Sequence, residues 1–138
     1  MANEAQIVEL FNGGRPIDFT VEDTNAYSKG QILWYEDARK ISGASTIPMP
    51  IAGIATADKE ASDGATNLSV YTDGIFKLTA VPAIGGEGAI TAGCKVVLSG
   101  ANTIRKAQTD EVSISGATLG VAYEDIAAAT TGEVRVNL

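Results

Sequence analysis

The sequence predicts an all-β protein, a small sandwich- or barrel-like domain built from two related β units, with an extended N-terminal arm and little helix. Three observations carry this. The apolar 45% of the 138 residues is mostly Ala, Val and Ile, and fifteen Gly accompany many Thr and Ser; such residues suit pleated, half-buried surfaces and tight turns. Apolar and polar residues alternate with period two at Leu68-Val70-Thr72 and Val134-Val136-Leu138, with Ser69, Arg135 and Asn137 on the opposite face. Finally, a pattern is written twice.

The copies are aligned by their glycines. "GQILWYEDARKISG" from Gly30 matches "GCKVVLSGANTIRKA" from Gly93: Leu33 falls with Val96, Trp34 with Val97, Tyr35 with Leu98, and Ile41 with Ile104. "GIATADKEASDGATNLSVY" from Gly53 matches "GVAYEDIAAATTGEVRVNL" from Gly120, with Asp58 and Asp125 each five residues on. The first pair of blocks is 63 residues apart and the second 67, a small loop insertion. The repeat therefore spans about 30–72 and 93–138.

Taken in order, the elements begin with "AQIVELFNGGRPIDFTV". This stretch is rich in strand formers and broken by Gly13-Gly14 before Arg15-Pro16. Residues 1–19 stand outside the repeat and read as an arm, with 20–138 as the domain. The arm is either an ordinary first strand or a strand able to join a neighbour's open sheet edge. Ile32–Tyr35 and Val96–Leu98 are short continuous apolar runs, as for strands covered on both faces. "IPMPI" at 47–51 is extended, because each proline steers its predecessor away from helix. "SGAN", "TDG", "ASDGAT" and "GGEG" punctuate the strands, and "IGGEGAITAG" reads as a connector between the halves. "YEDIAAATTG" is too short for a stable helix and reads as a crossover with at most one helical turn.

Composition excludes several chemistries. The net charge is −7, and the ten basic residues are scattered, so a phosphate backbone is not an expected partner. There is no histidine, the usual general base, and a single cysteine, Cys94, which rules out an intrachain disulfide and any multi-cysteine metal site. Cys94 reads as a small buried hydrophobe at a strand start. The acidic groups Glu36-Asp37, Asp58 with Glu60 and Asp63, Asp110-Glu111, and Glu124-Asp125 all fall in expected turns, where Asp bonds its own backbone rather than forming a carboxylate pair. "DKEASD" lacks EF-hand spacing, and the glycine-rich run lacks a phosphate-loop lysine. No cofactor and no metal are expected. "MANEAQIVELF" lacks the basic and apolar regions of a signal peptide, and no run of about 18 apolar residues is present, so no membrane is expected. Catalytic residues: none.

With these residues in view, "YSKGQILWYEDARKISG", "DGATNLSVYTDGIF", "GAITAGCKVVLSGANTIRKA" and the closing "GVAYEDIAAATTGEVRVNL" resemble the capsid decoration, or cement, proteins of tailed viruses of bacteria or archaea. The likeness covers about residues 17–138. It implies a non-enzymatic virion protein, made in the host cytoplasm, that sits as homotrimers on the outer capsid and bridges neighbouring major capsid protein subunits. It also implies an N-terminal arm that lies on the shell; the matching residues are Gln6, Ile7, Val8, Glu9, Leu10, Phe11, Arg15 and Pro16. Trp34, Tyr35, Pro48, Pro50 and Tyr71 are the expected trimer or capsid contacts. A different reading is a carbohydrate-binding or adhesin-like module stacking sugars on Trp34, Tyr35, Tyr71 or Tyr123.

Overall fold

The computed structural model describes residues 3–11, 15–43, 50–82, 89–107 and 118–138. It is all-β, as the alternation and turn chemistry predict, and built of two units. After a first strand, β1 (Gln6–Glu9), the chain forms β2 (Ile17–Thr20), β3 (Ile32–Asp37), β4 (Lys40–Gly43), β5 (Ile51–Ala55) and β6 (Asn67–Tyr71). These five close into a barrel in the order β2-β4-β3-β5-β6. The chain then continues through β7 (Asp73–Ala80), β8 (Lys95–Leu98), β9 (Thr103–Lys106), β10 (Thr118–Ala122) and β11 (Thr131–Asn137). They run β7-β11-β10-β8-β9, close through a β7–β9 pairing, and carry β1 on the outside of β7.

Each barrel is shut by one parallel contact among antiparallel neighbours: Thr20 opposite Lys40 in the first, Thr79 opposite Thr103 in the second. The 63- and 67-residue spacings recur in the backbone. The bridge Tyr27–Lys59 in the first barrel corresponds to Ile90–Ile126 in the second. Gly30 N–H donates to Ala55 C=O at 2.9 Å, and Gly93 N–H to Ala122 C=O at 2.8 Å. Left-handed backbone recurs in step, at Arg39 and Asn102 and again at Ser62 and Ala129. β2 has a counterpart too, in β7, although residues 1–19 read as lying outside the repeat. Its spacing follows neither interval, so alignment from the later glycines misses it.

The glycines that align the copies sit where the register of β5 on β3, and of β10 on β8, slips. A Cβ on Gly53 would stand 2.6 Å from the Tyr71 carbonyl oxygen, and one on Gly120 only 1.9 Å from that of Arg135. Both obstacles are backbone, so no side-chain rotation relieves them. Glycine is kept here for room.

The interior divides into two clusters. The first barrel encloses Phe19, Val21, Tyr27, Leu33, Ile41, Ala52, Ala55, Leu68 and Val70. The larger cluster fills the second barrel and runs out of it, joining Phe76, Leu98 and Val136 to Ile32, Ile51 and Ile54 on the outer flank of the first barrel. Trp34 and Tyr71 pack against the same cluster. β3 is thus covered on both faces, Leu33 facing its own barrel and Ile32 the neighbour. Ile32 N–H also donates to the buried Asn102 Oδ1 at 2.9 Å, tying the two units together.

Three local expectations are corrected. The halves are joined at Thr72, between β6 and β7, and not by the run from residue 84, which lies inside the second barrel between β7 and β8; residues 84–88 fall outside the described residues. The stretch 123–130, read as a crossover with at most one helical turn, instead joins the antiparallel neighbours β10 and β11 through bends, a bridge and a turn, with Asp125 and Ile126 engaged by the loop at 90–92. Cys94 is half-buried rather than buried, one residue before β8 begins.

Gly120→Ala should destabilise the protein by about 2–4 kcal/mol, since the added methyl must displace β11. A urea unfolding midpoint unchanged from the parent would contradict this account of the bulge.

Candidate interaction surfaces

β1 is held along one edge only. Gln6 lies opposite Lys77, Ile7 opposite Phe76 and Glu9 opposite Ile75, and no other pairing is present among the described residues. All four of its residues are exposed, with Ile7 at 40% and Val8 at 42%. The strand is anchored at both ends. Ala5 is buried, with its N–H on the Gly30 carbonyl at 2.7 Å, and Leu10 packs on the larger cluster. Phe11 lies under the Arg135 guanidinium, 5.4 Å from ring centroid to Cζ. Arg15 and Pro16 are exposed just ahead of β2. An exposed strand edge with unpaired N–H and C=O groups invites another strand.

The aromatic residues separate into two groups. Trp34 and Tyr71 are half-buried, with the Tyr71 ring 6.1 Å from Phe76, so they pack the seam between the barrels. Tyr35 and Tyr123 are exposed. Tyr35 meets Phe19 edge to face at 5.5 Å, and its N–H donates to the Pro50 carbonyl at 3.0 Å. Pro50 is exposed; Pro48 lies outside the described residues. Tyr35 and Ile17 line an open recess of about 470 Å³ at one end of the first barrel, with Ile51, Thr72 and the chain-terminal Leu138. Sequence reasoning passed over Ile17 and Leu138, because nothing local marks which strand ends a neighbouring barrel leaves uncovered.

The carboxylates tie loops. Asp58 Oδ1 accepts from Lys29 N–H and Asp125 Oδ1 from Ala92 N–H, at 2.7 and 2.8 Å. These are equivalent braces across each barrel rather than the local turns expected. Asp63 does make the local bond, to Ala65 N–H, while Glu124 accepts from Glu133 N–H. Asp110 and Glu111 lie outside the described residues. No group of three or more His, Cys, Asp or Glu among the described residues could hold a metal ion. No described helix is long and apolar enough to cross a membrane.

A doubled barrel, braced loops and a free strand edge describe a body made for contact. Comparison with known families decides which kind: the phage cement protein family matches residues 11–138. The chain belongs to that family. Its role is accordingly structural and associated with the phage capsid. Among the curated proteins, none matches. The matched span leaves out β1, so the most exposed strand of this cement protein lies ahead of the part that defines the family.

Two cations among the described residues are buried, Arg105 and Lys59, and the second escaped the sequence reading. Lys59 is 5% exposed, at the base of the first barrel. Its Nζ donates to the carbonyls of Asp23, Asn25 and Glu60 at 2.9–3.2 Å and pairs with Asp63 and Asp23 carboxylates at 3.1 and 3.6 Å. The ammonium fills an oxygen cage that the loops 22–25 and 59–65 form around it. In the second barrel the same slot holds Ile126. Nothing in "DKEASD" marks the lysine as buried, because two of the three carbonyls that hold it, those of Asp23 and Asn25, come from a distant segment.

On the surface, Lys40 bonds Glu22 and also pairs with Glu36 at 3.3 Å, beside the parallel closure of β2 and β4. The hydrogen bond from Lys40 holds the Glu22 carboxyl below its ordinary 4.5, and the Glu22 and Glu36 bonds raise Lys40 above 10.5. Asp63 is held below 3.8, first by the Ala65 N–H and then by Lys59.

Lys59→Met should cost about 2–3 kcal/mol, since it strands three carbonyls and two partly exposed carboxylates; a denaturation midpoint within error of the parent would contradict it. The pH dependence follows from the shifts. Stability from Glu22 and Asp63 is complete above their ordinary values and is lost as pH falls through the lowered ones. That from Lys40 is complete below 10.5 and is lost as pH rises through the raised value. Lys40→Met should therefore flatten the alkaline limb of Tm against pH and part of the acid limb; an alkaline limb as steep as the parent's would contradict this.

Proposed function

We propose that this cement protein binds the outer face of the mature capsid as a homotrimer and ties neighbouring major capsid protein subunits together. In this reading, β1 offers its free edge to a strand of the capsid protein. The observation that carries it is the open, exposed edge of β1 on a chain of the phage cement family. Main-chain hydrogen bonds would supply affinity, and the alternating side chains at Gln6, Ile7, Val8 and Glu9 the fit to the shell. The flanking residues Leu10, Phe11, Arg15 and Pro16 carry the arm from that contact back to the first barrel.

Cementing by such a contact is a matter of mass action. If the seam between capsid subunits takes its receptive form only in the expanded shell, every bound copy draws the shell toward that state. Three arms per trimer act together, so each need hold only modestly. An acidic, doubled barrel adds a rigid outward body that does not compete for the packaged nucleic acid.

The sugar-stacking reading lacks an assembled platform, since Trp34 and Tyr71 are spent on the seam between barrels.

The test uses expanded capsids and purified protein. The double change Ile7→Asp, Val8→Asp alters only exposed side chains, so the chain should keep its unfolding midpoint yet lose at least tenfold in capsid affinity by sedimentation. Light scattering should give about 43 kDa for three copies of the 14.2 kDa chain. Undiminished binding by the double variant would remove β1 from the contact.

A further inference from the structure

Within one chain the two barrels meet flank to end. The flank of the first barrel carries the cross-strand row Ile32–Ile54–Tyr71. It packs on an end of the second barrel where Phe76, Leu98 and Val136 are buried. Matched through their strand partners, β6 and β11 stand 64 residues apart (Tyr71 opposite Ile54, Arg135 opposite Val121) and β2 and β7 stand 59 apart (Ile17 opposite Val70, Phe76 opposite Val134), so those three positions correspond in the first barrel to Ile17, Tyr35 and Thr72. There the same end is open: Ile17 is 42% and Tyr35 39% exposed, and all three line the recess. Leu138, 40% exposed, sits on its rim. Among the described residues, three of the six exposed large hydrophobics thus gather at one uncovered barrel end.

The flank of the second barrel is exposed as well, apart from Phe11, over which the Arg135 guanidinium lies. The row equivalent to Ile32–Ile54–Tyr71 is Lys95–Val121–Arg135, with Val121 opposite both basic residues. Lys95 and Arg135 are exposed and Val121 is half-buried. Their aliphatic stems can lie on apolar surface while the charged heads reach past it. Around the open end the exposed carboxylates Asp18, Glu36 and Asp37 follow Ile17 and Tyr35 in the chain, whereas Arg39 is held over the Phe19 ring and on the Asp18 carbonyl. With Glu36 met by Lys40, Asp18 and Asp37 leave acidic charge beside an apolar seat, which matches an apolar residue between two cations.

We propose that the open end of the first barrel seats the second-barrel flank of another copy, so that the contact inside each chain is repeated between chains. This rests on the trimer reading and specifies its surfaces. A closed three-fold ring requires two different patches per subunit, each meeting the other kind on its neighbour. End and flank are such a pair, and the chain already joins them once internally.

The test is directed cross-linking. In a Cys94→Ser background, which removes the sole cysteine, Tyr35→Cys and Val121→Cys are introduced together and singly, and oxidised both free and on expanded capsids. The double variant should give covalent species up to three chains, and each single variant none. A double variant that stays monomeric in both settings overturns the assignment, as do dimers from either single variant, which would mean like-to-like contact. Alongside, Tyr35→Glu should lower the mass of the free protein from three chains to one at an unchanged unfolding midpoint. A Tyr35→Glu trimer overturns the assignment and leaves the trimer reading standing, all the more if that trimer has lost capsid binding, since the recess then belongs to the shell. A wild-type chain found as single copies, free and on capsids, removes the trimer reading itself.

Discussion

Closure of each five-stranded sheet on itself is the constraint from which the other features follow. Closing a sheet requires its first and last strands to pair, and here that pairing is short: Thr20 with Lys40 in one barrel, Thr79 and Ala80 with Thr103 and Ile104 in the other. Once closed, a barrel offers little open edge to a further strand, here only what the one or two closing residue pairs leave free. β1 lies outside both closures. Its free edge is the consequence of where the barrels shut, and it is the strand edge that the proposed capsid contact uses.

The same backbone then serves two surfaces. At equivalent flank positions the first barrel carries Ile32, Ile54 and Tyr71, the second Lys95, Val121 and Arg135. Burying Ile32 and Ile54 contributes about 1.5–3 kcal/mol each. The hydrogen bond from Ile32 to Asn102 adds about 1 kcal/mol. Apolar burial therefore holds the barrels together, and the hydrogen bond sets their alignment. Had the second flank kept its apolar residues, the chain would expose a continuous greasy face, with aggregation as the result. The slot under each barrel shows the same freedom: Ile126 fills it with hydrocarbon, Lys59 with a cation coordinated by carbonyls. Either solution satisfies the loop, so the backbone persists while the side chains diverge.

Much of this was legible in the sequence. The spacing of Gly30 and Gly93, and of Gly53 and Gly120, led to two units: the first pair shares a left-handed backbone, and at the second a bulge against a backbone carbonyl admits no other residue. The period-two runs in β6 and β11 marked strands with one buried face. Trp34 and Tyr71 were singled out as trimer or capsid contacts and, half-buried, also pack the seam, since an apolar residue reads alike whether a barrel of its own chain or a neighbour covers it. Residues 17–19 were read with the arm, although Phe19 lies inside the first barrel, because β2 returns at a different interval from the strands after it.

The sequence by itself determined the strand character, the doubling and the lack of conventional catalytic groups, since these reside in local pattern and composition. Only the tertiary structure decided which strands close on one another, which barrel end stays open, and which charge is buried, as with Lys59. Those outcomes depend on contacts between residues tens of positions apart, where the chain's own order carries no record of distance.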